Sequence, residues 1–368
     1  MLLAVGLIVV GLVALVVGGE LLVRGASTLA AYLGVSPLII GLTVVAFGTS
    51  APELAVSLKA GLSGQADIAV GNVVGSNVFN ILFILGVSAL VSPLVVNSQL
   101  IRRELPLMVL VSVVTWGLAY SGSVGRIEGL VLVAGLIAYV AWTVIESRRE
   151  SQAVVQEFAE EFDKPPRSKW GLALQLLWIV LGLVVLALGS RWLVDGAVMI
   201  ARQMGMSELL IGLTIVAAGT SLPEVVASIT ASIKGERDIA VGNVVGSNLF
   251  NLMCVLGMTA VIVPDGVPVA PSAIWQEFPV MIAASVMCLP IFFTGYRIDR
   301  WEGGLFLAWY VLYTVYLVLV ATESPLAQTV GSILLLGGVP LTVLILVVSV
   351  LFTRRSGPEM PNESGNRA

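Results

Sequence analysis

One stretch of 40 residues occurs twice in this chain of 368, and it constrains the fold more than any other feature. Residues 41–80 read GLTVVAFGTSAPELAVSLKAGLSGQADIAVGNVVGSNVFN, and residues 212–251 read GLTIVAAGTSLPEVVASITASIKGERDIAVGNVVGSNLFN. The copies match at 26 of 40 positions without a gap, at a fixed offset of 171 residues. Chance similarity between apolar segments would not match Gly, Pro, Glu, Ser and Asn. The sequence therefore indicates an internal duplication whose shared polar residues carry the chemistry.

The composition is that of a membrane protein. Apolar residues make up 58% of the chain and charged residues 11%, about half the charged share of an average soluble protein. Apolar runs of about 20 residues, which are long enough to cross a bilayer, recur along the chain. The absence of histidine excludes histidine proton relays and most transition-metal sites. We predict an all-α polytopic membrane protein that has no cofactor and no nucleic-acid or protein partner.

Eleven membrane spans are predicted, in two groups of five followed by one extra span. The predicted segments are a first repeat (1–146), a polar cytoplasmic linker (147–169), a second repeat (170–321), an extra C-terminal span (322–353) and a polar tail (354–368). Because each repeat crosses the membrane an odd number of times, the second copy must run opposite to the first. The fold is therefore predicted to be two inverted five-helix repeats plus one helix.

Lysine and arginine positions give the orientation. With the N-terminus outside, 15 of the 19 basic residues fall on the inner side, as cytoplasmic loops prefer. Only Lys59, Arg126, Arg191 and Arg202 fall outside. We predict a multi-pass protein of the plasma (inner) membrane, with the N-terminus outside and the C-terminus in the cytoplasm.

Glu53 and Glu224 lie in the middle of predicted spans, within GTSAPE and GTSLPE. A carboxylate near the bilayer centre costs roughly 2.5–3.5 kcal/mol, so it needs a cation or a partner. Pro52 and Pro223 cannot donate to the carbonyl four residues earlier, so each helix is predicted to break one residue before its glutamate. The freed carbonyl oxygens persist at this depth only where they line a cavity or bind something.

Hydroxyl and amide side chains recur every four residues around these glutamates. Thr49 and Thr220 precede the glutamates by four, so hydroxyl and carboxylate share a helix face. The next span of each repeat carries a polar stripe: Asn72, Ser76 and Asn80 in the first, Asn243, Ser247 and Asn251 in the second. This all-oxygen set suits Ca²⁺ and Na⁺. A single such glutamate can be a protonated structural acid, and such a stripe can simply hold helices together. Two copies, each beside a proline, favour an ion site.

Two pairs of opposite charges stand four residues apart in the first span of each repeat. They are Glu20 with Arg24, and Arg191 with Asp195, with the signs reversed between the repeats. Residues at this spacing lie on one helix face. We predict an ion pair within each helix.

The paired signatures resemble the α-repeats of the sodium/calcium exchanger family, part of the Ca²⁺/cation antiporter superfamily, and its prokaryotic members. The resemblance covers residues 1–321, and it implies alternating access to a central site. Carried over to matching positions, Glu53, Glu224, Thr49 and Thr220 would bind Ca²⁺. The same glutamates would bind Na⁺ with Ala46, Ser76 and Asn80 in one half and Ala217, Ser247 and Asn251 in the other. Ser50 and Ser221 match further positions that line the ion path.

Two departures from the family pattern refine this expectation. The potassium-dependent branch carries Asp at the position of Asn251, so the asparagine here favours potassium independence. The eleventh span has no counterpart in the ten-helix core that the resemblance implies.

The functional hypothesis is therefore secondary antiport, in which entering Na⁺ drives Ca²⁺ out. Proton/calcium exchange at the same glutamates stays open, because a glutamate among apolar helices can also carry a proton. A cation channel would need a continuous polar pore, whereas polarity here is confined to mid-membrane. An intramembrane enzyme would need a nucleophile with a base or a pair of catalytic acids, and no such arrangement occurs. The expected partners are Ca²⁺, Na⁺ and the lipid bilayer.

Overall fold

The computed structural model describes residues 1–147, 169–206, 211 and 215–356. The interior of the predicted linker lies outside the described residues, and so do residues 207–210 and 212–214 and the tail beyond residue 356. The boundaries of the predicted repeats therefore stay predictions.

The described residues are almost entirely helical. The helices are α1 (Leu2–Leu33), α2 (Pro37–Thr49), α3 (Ala51–Leu62), α4 (Ala66–Val91), α5 (Leu105–Ala119), α6 (Arg126–Ser147), α7 (Lys169–Gln203), α8 (Ala217–Thr220), α9 (Leu222–Ile233), α10 (Arg237–Ile262), α11 (Ala273–Phe293), α12 (Arg300–Ala321), α13 (Leu326–Ile333) and α14 (Val339–Ser356). A π-helical turn, Leu100–Glu104, leads into α5, and another, Leu334–Gly338, joins α13 to α14.

The predicted membrane spans appear as apolar helices. Within the described ranges, eight helices are long and apolar enough to cross a bilayer, and the bent pair α2–α3 makes nine. Helix α9 is apolar but short, and α5 has 15 residues. The structure is thus an all-α polytopic membrane protein, and the total of eleven spans stays a prediction.

Helices α1 and α7 are the longest, with 32 and 35 residues. Helix α1 continues to Leu33 because no residue before Gly34 interrupts it. Gly34 ends the helix with φ of 67°, a left-handed conformation that glycine adopts without strain.

Glycines let α1 and α7 pack closely and antiparallel. A Cβ atom on Gly11 would lie 2.7 Å from the carbonyl oxygen of Gly189, and one on Gly18 would lie 2.8 Å from the backbone nitrogen of Leu186. A Cβ on Gly25 would lie 3.0 Å from Cγ1 of Ile179. As the residue numbers increase along α1, those of the contacting residues in α7 decrease, so the two helices run antiparallel. Because these helices are equivalent in the two repeats, the repeats are inverted.

Four short strands repeat the same symmetry. Strand β1 (Leu94–Val95) pairs with β4 (Arg297–Ile298), and β2 (Ser123–Val124) pairs with β3 (Val267–Pro268), both antiparallel. Each pair joins a loop of one repeat to a loop of the other. The repeats are therefore tied together through their connecting loops as well as through α1 and α7.

Helices α4 and α10 form the centre of the molecule, since most of their residues are buried. Helix α10 lies against α2 through Gly246, where a Cβ atom would lie 2.7 Å from both the Ala46 Cβ and the Leu42 carbonyl oxygen. On the periphery, α14 packs on α12, where Trp309 Nε1 donates to Thr342 Oγ1 at 2.9 Å.

Candidate functional site

Two helix breaks lie at the centre of the molecule. Helix α2 ends at Thr49, Ser50 has φ −80° and ψ 2°, and α3 begins at Ala51 with a bend of 41°. Ser221 separates α8 from α9 with φ −90° and ψ 8°. Each break falls three residues before its glutamate. The predicted position of the break, one residue before the glutamate, was therefore wrong. Proline is accommodated in the first turn of a new helix, where its missing N–H is not needed, so the chain breaks before the proline.

Glu53 and Glu224 lie in the first turns of α3 and α9 and are fully buried, each 0% exposed. Each accepts a hydrogen bond from the serine at the break of the opposite repeat. Ser221 Oγ donates to Glu53 Oε1 at 2.9 Å, and Ser50 Oγ donates to Glu224 Oε1 at 3.4 Å. The predicted path residues Ser50 and Ser221 therefore contact the predicted carboxylate ligands directly.

The two threonines cross between repeats in the same way. Thr49 Oγ1 donates to Asn243 Oδ1 at 3.1 Å, and Thr220 Oγ1 donates to Asn72 Oδ1 at 3.4 Å. Both predicted threonine ligands therefore contact an asparagine of the opposite repeat.

Asn72 and Asn243 hold the glutamate-bearing turns. Asn72 Nδ2 donates to the Glu53 carbonyl oxygen at 3.1 Å and to Ser57 Oγ at 2.9 Å. In the second repeat, Asn243 Nδ2 donates to the carbonyl oxygen of Glu224 at 3.4 Å and to Oγ of Ser228 at 2.9 Å. These two serines were not among the predicted site residues. Their signal was present, since each stands four residues after a glutamate in both copies.

The serines of the polar stripes join the same cluster. The hydroxyl oxygens of Ser221 and Ser76 are 3.1 Å apart, and those of Thr49 and Ser247 are 3.4 Å apart. Both stripe serines are buried, so each contributes a hydroxyl next to a helix break.

Asn80 and Asn251 begin π-helical turns in α4 and α10, and π-helical turns are frequent at functional sites. Asn80 Nδ2 donates to Asn248 Oδ1 at 3.2 Å, and Asn251 Nδ2 donates to Asn77 Oδ1 at 3.1 Å. Asn77 and Asn248 were not predicted as site residues either, although they too recur in both copies.

The two predicted alanine ligands lie in the helices that end at the breaks. Ala46 is fully buried, and its carbonyl oxygen accepts the Ser50 N–H at 3.0 Å and Thr49 Oγ1 at 3.4 Å. Ala217 is the first residue of α8. Their proposed contribution to Na⁺ binding stays a prediction.

The cluster presents several oxygens without a donor among the described residues. The second carboxylate oxygens of Glu53 and Glu224 and the amide oxygens of Asn80 and Asn251 are buried and have no hydrogen-bond partner in the part of the chain that the structure describes. Among the described residues, no group of three or more acidic, histidine or cysteine side chains is assembled. The donor set is therefore two carboxylates with neutral oxygens, which suits a hard cation.

The carbonyl of Gly219, to which Pro223 cannot donate, has a hydrogen-bond partner that was not predicted. Ser190 Oγ of α7 donates to the carbonyl oxygen of Gly219 at 2.5 Å. The equivalent position in α1 is Gly19, which has no side chain to do the same. The two halves of the site thus differ in how α1 and α7 contact the breaks.

The cluster is covered unequally on its two sides. Helix α1 lies against α9, where a Cβ on Gly19 would be 2.8 Å from Val226 Cγ1, whereas α7 makes little contact with α3. Accordingly Ala227 of α9 is 0% exposed, but its equivalent Val56 of α3 is 37% exposed. Helix α1 therefore covers α9, whereas α7 leaves α3 largely uncovered, although Glu53 and Glu224 are both fully buried. We refer to the α1–α9 contact as the closed side.

Polar contacts reinforce the closed side. Ser27 Oγ donates to Glu236 Oε1 at 2.6 Å, and Glu20 pairs with Lys234. The predicted pairing of Glu20 with Arg24 was wrong, because the lysine at the end of α9 lies next to the glutamate. The predicted Arg191–Asp195 pair is confirmed at 3.9 Å.

The sequence matches one protein family over most of its length. The family is described as sodium/calcium exchanger protein, and it matches residues 3–145 and 174–319, which are the two repeats. The chain is 43% identical over 288 residues to inner membrane protein YrbG of Escherichia coli, covering 78% of this chain and 88% of that one. It is 34% identical over 342 residues to sodium/calcium exchanger MaX1 of Methanosarcina acetivorans, covering 84% and 97%.

A further relative and a solved structure agree with these matches. Putative antiporter CaxA of Alkalimonas amylolytica is 42% identical over 317 residues, covering 85% of this chain and 98% of that one. The solved structure of the sodium-calcium exchanger NCX_Mj, soaked without Na⁺ and Ca²⁺, superposes with a TM-score of 0.74 at 30% identity. It covers 86% of this chain and 99% of the solved one.

Proposed function

Because this chain belongs to the sodium/calcium exchanger protein family, we propose that it couples the entry of Na⁺ to the extrusion of Ca²⁺. The protein is a multi-pass membrane protein and a cation/Ca²⁺ antiporter rather than an enzyme. Sodium as the driving ion, the ligand set and the direction of transport are the proposal.

The observation that carries the proposal is the set of unpartnered oxygens at the helix breaks. Buried polar atoms without a partner are costly, more so when charged. Glu53 and Glu224 each leave one carboxylate oxygen unpartnered, and Asn80 and Asn251 each leave an amide oxygen. A cation would satisfy all four. Two carboxylates balance the charge of one Ca²⁺, and with neutral oxygens they can also hold Na⁺ ions.

Competition at shared glutamates would couple the two ions. If Ca²⁺ and Na⁺ both need Glu53 and Glu224, the site holds one load or the other. We expect alternating access to occur only when the carboxylates are neutralised, because crossing with bare charges is costly. With three Na⁺ for one Ca²⁺, one net charge moves per cycle, and a potential of about 100 mV contributes about 2.3 kcal/mol. Transport is then electrogenic.

The distribution of basic residues supports a sidedness for this cycle. An N-terminus outside puts 15 of the 19 lysine and arginine residues on the inner side, which favours this orientation. Lys234 then lies on the cytoplasmic side, so the side that α1 and α9 close faces the cytoplasm. The same assignment gives a cytoplasmic C-terminus.

Asn251 supports independence from K⁺. The site described here contains two carboxylates and no third acidic group at this position. A third carboxylate would give the site charge for an additional cation, and the asparagine does not supply it. We therefore expect Ca²⁺ transport that K⁺ does not stimulate.

The test is ⁴⁵Ca²⁺ uptake into proteoliposomes loaded with Na⁺, compared with vesicles loaded with choline. Uptake should require internal Na⁺, should rise with an inside-positive potential and should not change when K⁺ is omitted. Glu53→Gln and Glu224→Gln should abolish it. Glu323→Gln, a loop glutamate that is exposed, is the matched control.

An imposed pH gradient in choline-loaded vesicles tests the alternative, proton/calcium exchange. The same buried glutamates could carry protons in place of Na⁺, which is the observation that keeps this candidate. Uptake driven by the pH gradient alone would contradict sodium coupling and the Na⁺ ligands assigned above.

A further inference from the structure

Two buried asparagines outside the proposed ligand set contact the site asparagines. Asn77 and Asn248 are each 1% exposed and stand three residues before Asn80 and Asn251. Each accepts a hydrogen bond from the site asparagine of the opposite repeat: Asn248 Oδ1 from Asn80 Nδ2, and Asn77 Oδ1 from Asn251 Nδ2. The two amide pairs therefore cross the interface between the repeats.

Methionine sulfurs fix the orientation of these two amides. Asn248 Nδ2 lies 3.4 Å from Met108 Sδ, and Asn77 Nδ2 lies 3.5 Å from Met281 Sδ. A thioether can accept a hydrogen bond but cannot donate one, so the amide nitrogen must face the sulfur. The amide oxygen then faces the other way, towards the site asparagine. Asn77 has a second anchor, since its Nδ2 also donates to the Asn248 carbonyl oxygen at 3.2 Å.

This chain of contacts decides which atom each site asparagine turns towards a cation. With Asn248 presenting oxygen, Asn80 must present its NH₂ group to Asn248. Its own Oδ1 is then directed away from that contact, and it is buried without a partner, as is Oδ1 of Asn251. A flipped amide would instead direct its NH₂ group, which carries partial positive charge, at the cation.

We propose that Asn77, Asn248, Met108 and Met281 are positioning residues that orient the amides of Asn80 and Asn251 so that oxygen faces the ion. This rests on the proposed function, because it assumes that Asn80 and Asn251 bind the transported cation. The four residues do not bind the ion themselves. They act through the site asparagines, as outer groups act through the ligands of metal sites.

The two halves differ in a way that gives a matched test. In the described residues, Asn248 Nδ2 has the Met108 sulfur as its acceptor, whereas Asn77 Nδ2 has Met281 and a carbonyl. Substituting Met by Leu conserves volume, so folding is preserved. Met108→Leu should release Asn248 and with it Asn80. Met281→Leu should change little, because the carbonyl still holds Asn77.

The experiment measures Na⁺ binding to the purified full-length protein as the rise of its unfolding midpoint with NaCl, against choline chloride at equal ionic strength. Met108→Leu should weaken Na⁺ binding about threefold, the size of one weak hydrogen bond. Asn248→Leu should weaken it about 10–100-fold. Met281→Leu should stay close to wild type. Equal effects of the two methionine variants, or a larger effect of Met281→Leu, would overturn the proposal.

A double-mutant cycle separates positioning from general packing. In an Asn80→Ala background, Met108→Leu should have no further effect on Na⁺ binding, because the residue through which it acts is gone. If Met108→Leu lowers the unfolding midpoint in choline chloride but leaves the rise of the midpoint with NaCl unchanged, Met108 is a packing residue and the proposal is contradicted. The variant Glu53→Gln distinguishes a failure of the proposed ion site from a failure of the proposed amide orientation. If this variant still binds Na⁺, the proposed site is contradicted, whereas the amide orientation is not.

Discussion

The ammonium group of Lys234 pairs with the carboxylate of Glu20, and this contact joins the end of α9 to α1 on the closed side of the site. The equivalent positions in the opposite halves are Ser63 and Arg191, which cannot form such a pair. The inverted repeats are therefore not equivalent at their two ends. An ion pair strengthens closure on one side and has no counterpart on the other.

Removing this ion pair should loosen the closed side. We expect Lys234→Gln to speed deuterium uptake in peptides covering residues 222–233, because Glu20 loses its partner and α1 separates from α9 more often. The increase should be at most about fivefold, since a partly exposed pair contributes little. The measurement is hydrogen exchange by mass spectrometry in nanodiscs.

The charge swap Glu20→Lys with Lys234→Glu should return exchange to the wild-type rate. Lys59→Gln, at an exposed lysine of α3, serves as the control for the loss of a charge. If Lys234→Gln and the swapped variant exchange alike, the pair has no part in closure.

The two break serines should differ in their effect on Ca²⁺ binding. Ser221 Oγ lies 2.9 Å from Glu53 and also contacts Ser76, whereas Ser50 Oγ is 3.4 Å from Glu224. Ser221→Ala removes the shorter bond to a charged group, so it should raise the Ca²⁺ concentration for half-maximal uptake about tenfold. Ser50→Ala should have a smaller effect. Uptake kinetics in Na⁺-loaded proteoliposomes give the comparison, and the reverse order would refute it.

The glycine contact between α1 and α7 should tolerate no side chain. A Cβ at Gly18 would lie 2.8 Å from the backbone nitrogen of Leu186, so Gly18→Ala should lower the unfolding midpoint and reduce transport. Gly6→Ala is the control on the same helix, because nothing lies within 4 Å of its Cβ position. Equal midpoints for the two variants would show that the close approach is unimportant.

Ser190 should stabilise the second break. Ser190→Ala leaves the Gly219 carbonyl without its hydroxyl partner, which should cost about 1–3 kcal/mol of stability. The matched control is Ser285→Ala, since Ser285 Oγ donates to Met281 O, a carbonyl within its own helix. Thermal unfolding in detergent measures both. A control variant as unstable as Ser190→Ala would argue against a specific role for this bond.

Several features of the site could be predicted because they lie within single helices. Glu53 with Thr49, and the stripe ending at Asn80, follow from four-residue spacing, and both copies repeat them. Ser57 and Asn77 also recur in both copies but were not predicted as site residues. The predicted position of each helix break was wrong by two residues, because a proline in the first turn of a helix is favoured over a proline that interrupts a helix.

What the sequence by itself determined is the duplication, the apolar spans, their inversion and the buried carboxylates, because spacing along one helix and an odd number of spans follow from chain order alone. The tertiary structure alone decided which groups meet across the repeats. Ser221 contacts Glu53, and Asn248 contacts Asn80. Glu20 forms its ion pair with Lys234 and not with Arg24. Such contacts join residues far apart in sequence, and their distances depend on how closely glycine-lined helices pack. Periodicity within one helix contains no information on that approach.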